Sequence, residues 1–157
     1  MSSRPAGASG QTVAGDLLDV NVWLALAIEE HPHHRQAASY WSGRGRNAVF
    51  FCRLSAMSFV RLLMNPKLMA DKPLTLRAAW ARYVAFAGLP GVAMLAEPAG
   101  LDSELAALLH PNLPSRLFTD AYFAALARRA PARLVTFDRD FERFDGLALL
   151  RLSASDH

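Results

Sequence analysis

Cysteine is nearly absent from this chain of 157 residues: Cys52 stands alone. A single thiol excludes a disulfide framework and fits a reducing compartment, so a cytoplasmic location is expected. Lysine is almost as scarce, occurring only at Lys67 and Lys72, and arginine supplies nearly all the basic charge. No apolar run approaches the ~18 residues needed to span a bilayer. The longest, such as 22–28, are short and packed between charged segments, so no membrane association is expected. A Gly-rich phosphate loop is missing, which argues against nucleotide-dependent chemistry. The segment 1–15 is rich in Ser, Gly and Ala but lacks the apolar middle of a signal peptide. It is read as a disordered leader, with one domain over 16–157 and no export.

What remains is the composition of an ordinary globular core, 52% hydrophobic and 20% charged. That excludes a disordered chain. At this length a domain buries roughly 68–70% of its unfolded surface and needs no metal or disulfide staple. Seventeen basic against fourteen acidic residues leave a net charge of +3. The arginine fork suits phosphate, but so small an excess does not by itself argue for a nucleic-acid partner.

Short apolar segments over 16–20, 47–52, 92–95, 133–136 and 147–150 read as strands. Helical patterns fall between them, over 22–30, 33–43, 55–64, 75–88, 102–109 and 119–129. Pro32 separates the first two helices, Asn65-Pro66 ends the third, and Thr75 and Gly88 bracket the fourth. Alternation of this kind predicts an α/β fold, a three-layer α/β/α sandwich with a mainly parallel central sheet. In such sheets, sites form outside the carboxyl ends of the strands.

The acids fall at those ends. Asp19 closes the first strand inside the apolar run LLDVNVWLAL, where a carboxylate is costly unless something neutralises it. Asp138 follows the fourth strand in Leu134-Val-Thr-Phe-Asp-Arg-Asp140, and Asp120 opens the helix that precedes that strand. Alone, Asp120 is a first-turn acid favoured by the helix dipole. Gathered at one sheet edge, the three repel one another unless a cation binds. Their hard oxygens select Mg²⁺ or Mn²⁺ rather than Zn²⁺, which points to a metal site and to phosphoryl transfer.

At these residues the chain resembles the PIN-domain family, and within it the VapC-type toxins of bacterial toxin–antitoxin pairs. The motifs are Leu18-Asp-Val-Asn-Val22, Thr119-Asp-Ala-Tyr122 and Thr136-Phe-Asp-Arg-Asp-Phe141. Further similarity lies in His31-Pro-His-His34, Phe51-Cys-Arg-Leu54 and Arg61-Leu-Leu-Met-Asn-Pro66. The resemblance implies a metal-dependent endoribonuclease in which Asp19, Asp120 and Asp138 hold Mg²⁺ or Mn²⁺. Asp140 would be an accessory acid, and Asn21 and Thr136 would be polar groups near the metal waters. It also implies an RNA substrate, a cognate VapB-type antitoxin and a homodimer. One departure stands out. Most relatives carry a glutamate three residues before the arginine that matches Arg61, and here that position is Ser58. Glu97, Glu104 or Asp140 are candidates to replace it in space. The competing readings are a catalytically impaired PIN-like module that binds antitoxin or RNA, and a phosphatase or DNA nuclease using the same acids.

The other chemistry-bearing residues have plainer readings. His31, His33 and His34 flank a proline with no cysteine or acid at ligand spacing, and are read as a solvated helix entry. Cys52 is read as a buried strand residue. Trp23, Trp41 and Trp80 lie in helical patterns and are read as core. The arginines flanking the second and fourth strands are read as solvated surface.

Overall fold

The computed structural model of the chain describes residues 13–153. The segment 1–12, most of the expected leader, lies outside the described residues, as does 154–157. Residues 13–15 are already tied to the domain: the Ala14 N–H donates to the Pro131 carbonyl at 2.8 Å. Gly15 passes so close to the next strand that a Cβ there would sit 2.5 Å from the Ala48 carbonyl oxygen.

Five strands form one sheet: β1 (Asp16–Leu18), β2 (Val49–Phe51), β3 (Val92–Met94), β4 (Arg133–Thr136) and β5 (Leu149–Arg151), in the order β3-β2-β1-β4-β5. Every pairing is parallel, with Leu18 opposite Val135 and Asp16 opposite both Val49 and Arg133. The helices are α1 (Val20–Ala27), α2 (His34–Gly43), α3 (Arg53–Leu63), α4 (Leu76–Ala87), α5 (Leu101–Leu108) and α6 (Phe118–Arg129). None of them is long and apolar enough to cross a membrane.

The three layers follow from the period of two along each strand. Leu17 and Leu134 point into a core with Phe123, Leu126 and Phe141, packed under α5 and α6. Their neighbours Leu18 and Val135 point to the other face, into a core with Trp23, Phe51 and Phe59 under α1, α3 and α4. Trp23 stacks on Phe51 at 3.8 Å between ring centroids, which locks α1 onto β2. On α6, alanines dominate the buried face, so the helix backbone lies close against the sheet.

Sequence and structure differ at several helix ends. The first helix begins at Val20 and leaves helical geometry at Ile28, four residues before Pro32, whose ring would clash with the Ile28 carbonyl if the helix ran on. Cys52 lies one residue beyond β2 and caps α3: its thiol accepts from the Ser55 N–H while the Ser55 hydroxyl accepts from the Cys52 N–H. Trp80 is not core. It is 45% exposed, in line with Leu76 and Val84 on the outer face of α4. The reason is that α4 spends only one face on the fold, through Ala79 and Tyr83. Trp41 is half-buried, with the Arg44 guanidinium 3.6 Å above its ring.

At the amino edge of the sheet, Asp16 is buried at 2% exposure. Arg133 grips it with two hydrogen bonds of 2.9 Å, and the Tyr40 hydroxyl donates to the same carboxylate at 2.5 Å. Burial and that bond push the Tyr40 phenol well above its usual range. A buried carboxylate that loses its cation keeps its desolvation cost. Because Arg133 is itself partly exposed, Arg133→Ala is expected to destabilise the protein by about 2–3 kcal/mol in urea unfolding, and Tyr40→Phe by about 1 kcal/mol. An Arg133→Ala protein as stable as wild type would rule out this clamp as a structural support.

Candidate metal centre

The strand order makes the site. β1 and β4 are neighbours, yet the chain leaves them for opposite faces of the sheet, which opens a crevice between their carboxyl ends. Asp19 directly follows β1, and its N–H donates to the Val135 carbonyl at 2.9 Å. Asp138 follows β4 after one intervening residue, Phe137. Asp120 sits in the first turn of α6, where the helix dipole favours an acid.

A chain of hydrogen bonds fixes three of the acids, Asp19, Asp138 and Asp140, relative to one another. The Thr136 hydroxyl donates to Asp19 Oδ2 at 2.8 Å and accepts from the Asp138 N–H at 3.0 Å. Asp138 Oδ1 accepts from the Asp140 N–H at 2.8 Å, which caps a short 3-10 turn over Arg139–Arg143 and brings Asp140 back toward the crevice. Asp140 Oδ2 in turn meets Arg116 Nη1 at 3.1 Å. With Asp120 carried in by the first turn of α6, the side chains of Asp120, Asp138 and Asp140 each place one carboxylate oxygen within 4.8 Å of the other two. Asp19 stands beside this trio, 6% exposed, and is held by Thr136.

The electrostatics match the crowding. Asp19 is pushed up to about 6, chiefly by burial, with Asp138 adding to the rise and the Thr136 bond opposing it. Asp120 is also pushed up to about 6, by burial first and then by the charges of Asp19, Asp138 and Asp140, which Arg116 only partly offsets. The residues present suit a hard divalent cation: a close set of carboxylate oxygens whose mutual repulsion a cation would relieve.

The other residues singled out in the sequence are distributed around this centre. Asn21 is exposed on the first turn of α1, two residues from Asp19. Ser58 is half-buried on α3 and carries no charge. Of the acids named as replacements, Asp140 is in the trio. Glu104 instead pairs with Arg128 at 2.7 Å, and Glu97 accepts from the Tyr122 hydroxyl at 2.6 Å. The histidines form local contacts: His31 Nδ1 accepts from the His33 N–H, and His34 Nδ1 bonds the Ala25 carbonyl. Sequence reasoning passed over Arg116, because nothing in its local pattern signals that it reaches an acid 24 residues away.

Comparison with known proteins agrees with this architecture. The family model for the PIN domain matches residues 17–147. Ribonuclease VapC41 of Mycobacterium tuberculosis is 36% identical over 143 residues, covering 87% of this chain and 98% of its own length. Ribonuclease VapC38 of the same organism is 36% identical over 124 residues, covering 78% and 84%. Among solved structures, M. tuberculosis VapC20, described as a sarcin-ricin loop cleaving toxin, superposes with a TM-score of 0.65 at 20% identity over 87% of this chain and 99% of that one. VapBC2 from Rickettsia felis, bound to a promoter DNA fragment, gives 0.60 at 14% identity over 88% of this chain and 98% of that one. With a parallel sheet in this order, acids at its carboxyl edge and that degree of identity, the chain belongs to the PIN-domain family, on its VapC branch.

Proposed function

We propose that this protein is a divalent-cation-dependent endoribonuclease toxin, held in check by a VapB-type antitoxin. The observation that carries the reading is the convergence of Asp120, Asp138 and Asp140, with oxygens within 4.8 Å of one another, at the crevice where a parallel sheet presents its site. The relatives named as ribonucleases support it.

In this reading Asp120, Asp138 and Asp140 hold Mg²⁺ or Mn²⁺, with Asp19 completing the negative field from its buried position. A bound ion would lower the pKa of a coordinated water and offset charge on the phosphoryl oxygens. The chain does the rest. Thr136 keeps the Asp19 and Asp138 carboxylates in one orientation through its shared hydroxyl. Arg116, largely exposed beside Asp140, is placed to meet a phosphate oxygen. Asn21 offers an amide at the rim, next to Asp19. The competing reading, an impaired module that binds without cutting, rests on Ser58. The close trio does not need an acid there, because Asp140 belongs to it.

Cleavage of total RNA should therefore require Mg²⁺ or Mn²⁺ and stop with EDTA. Asp120→Asn and Asp138→Asn should each lose more activity than Thr136→Val, whose effect is expected in the roughly 10–100-fold range typical of groups that orient metal ligands. Failure of the wild type to cut any RNA with either ion would favour the impaired module.

Stability without metal should fall as pH rises. Asp19 and Asp120 bind protons more tightly folded than unfolded, so their favourable contribution is complete below the usual carboxylate value of 3.8 and is lost through about 6. For Asp19 alone, two pKa units correspond to about 3 kcal/mol. Asp19→Asn should flatten this dependence, leaving the metal-free protein as stable or more stable at neutral pH, and should reduce the rise in melting temperature that Mn²⁺ produces. Thermal melts between pH 4 and 8, with and without Mn²⁺, check both signs.

The antitoxin is expected to form a complex that survives size exclusion when the two proteins are co-expressed, and the free protein is expected to run as a homodimer. Separate elution of toxin and antitoxin would remove the partner from this proposal.

A further inference from the structure

A cavity of about 830 Å³ opens directly beside the acidic cluster. It shares a wall with the metal centre, because Asp138 belongs to both and Asn21 lines it next to Asp19. Its volume is in the range of sites that enclose an organic ligand rather than a few waters.

The lining suits a flat, polar-edged ring. His33 stacks on Phe137 with centroids 4.5 Å apart and planes tilted by only 18°. Both rings line the cavity, and His33 is exposed, so the stack is open to extension by another ring. Around it stand groups of both hydrogen-bonding senses: Glu30 accepts, Lys72 donates, and His31 donates from a known atom. His31 Nδ1 already accepts from the His33 N–H at 3.0 Å, so the neutral ring carries its proton on Nε2. Partial burial and the neighbouring His33 and His34 hold His31 below its ordinary value, which keeps the ring neutral.

The opposite wall is built rather than loose. Ala70 and Asp71 both adopt left-handed backbone, with φ of 50° and 63°, a conformation non-glycine residues seldom take. The turn is held by the Asp71 N–H on the Pro66 carbonyl and the Lys72 N–H on the Met69 carbonyl, at 2.8 and 2.9 Å. Lys72 follows this turn and lines the cavity.

From this arrangement we infer that the cavity receives one unpaired nucleobase of the RNA strand, from a nucleotide adjoining the phosphodiester held at the acidic cluster. The inference rests on the ribonuclease reading and adds to it a base-binding subsite lined by His33 and Phe137. A base that is free of its own helix would enter and extend the His33–Phe137 stack. A peptide segment of the antitoxin is the rival occupant. The open aromatic stack and the carboxylate shared with the cluster favour the base.

Two measurements test this on the full chain. In EDTA, 5′-nucleoside monophosphates are expected to shift the ring signals of His33 and Phe137 upfield in NMR, whereas ribose 5-phosphate leaves them in place. His33→Ala, an exposed substitution, is expected to weaken that binding by roughly tenfold or more, the scale of a lost base stack. With Mn²⁺ and a randomised RNA, sequencing of the cut ends is expected to show a base preference at one position beside the cleaved bond, flattened in His33→Ala. Equal shifts with ribose 5-phosphate, or a cleavage profile unchanged by His33→Ala, would overturn the base site. So would ring shifts produced by the antitoxin but by no nucleotide. Nucleotide shifts in a protein that cuts no RNA would fail the ribonuclease reading and uphold the base site. Efficient cutting with silent rings would do the reverse.

Discussion

Negative charge crowded at one edge of the sheet is the constraint to which the rest of this molecule answers. Asp19, Asp120, Asp138 and Asp140 come from three separate segments; beyond burial, the charge of Asp138 raises the cost of ionising Asp19, and those of Asp19, Asp138 and Asp140 raise it for Asp120. Left to themselves, such groups would move apart or stay protonated. They stay together because their positions are set by backbone that cannot yield: two adjacent strands, the first turn of a helix packed through alanines, and a capped 3-10 turn. The Thr136 hydroxyl links the first strand to the second by donating to one acid and accepting from the backbone of another. Repulsion is thus stored in the fold, and a divalent cation is the species best suited to relieve it.

The same two strands carry charge at both ends, with opposite consequences. At the amino edge, Asp16 of β1 is matched by Arg133 of β4 in a two-bond grip, and Tyr40 completes the set. That carboxylate has its cation built in. At the carboxyl edge, just beyond the end of β1, Asp19 finds a hydroxyl and more carboxylates. Arg116 reaches only Asp140, from a largely exposed position. The contrast separates a carboxylate matched by a cation within the fold from carboxylates that the fold leaves crowded together. It also explains why the acids at the two ends of β1, Asp16 and Asp19, are not interchangeable.

The neutral residue at Ser58 gains meaning from this geometry. The family resemblance leads to the expectation of a further acid on the helix following β2, and here α3 brings the Ser58 hydroxyl and a capping box built from Cys52 and Ser55. Asp140 contributes the third oxygen of the close trio, and the Asp138 side chain accepts from its N–H where the chain turns back. The loop around Ala70 and Asp71 and the His33–Phe137 stack then wall a cavity that opens from Asp138. A strand end, a tight turn and a helix entry therefore build the cluster and its neighbouring cavity side by side.

Much of this was legible in the sequence because it depends on local pattern. Short apolar runs between helical segments imply a parallel sheet, since parallel strands need crossovers and are buried on both faces. Once the sheet is parallel, Asp19 and Asp138 must lie at its carboxyl edge. Other features depend on contacts between distant segments, and no local pattern carries those. That β1 lies between β2 and β4, and so opens a crevice between Asp19 and Asp138, is a matter of strand order. The clamp from Arg133 onto Asp16 joins residues 117 apart, and the bond from Arg116 to Asp140 joins residues 24 apart. Trp80 has the periodicity of a core residue, yet it faces outward because α4 is an outer helix with one covered side. The sequence alone determined the layers and the edge on which the acids stand, because strand and helix periods are properties of neighbours along the chain. Only the tertiary structure decided which acids touch, which one is neutralised and what cavity lies beside them, because those depend on the packing of segments far apart in the chain.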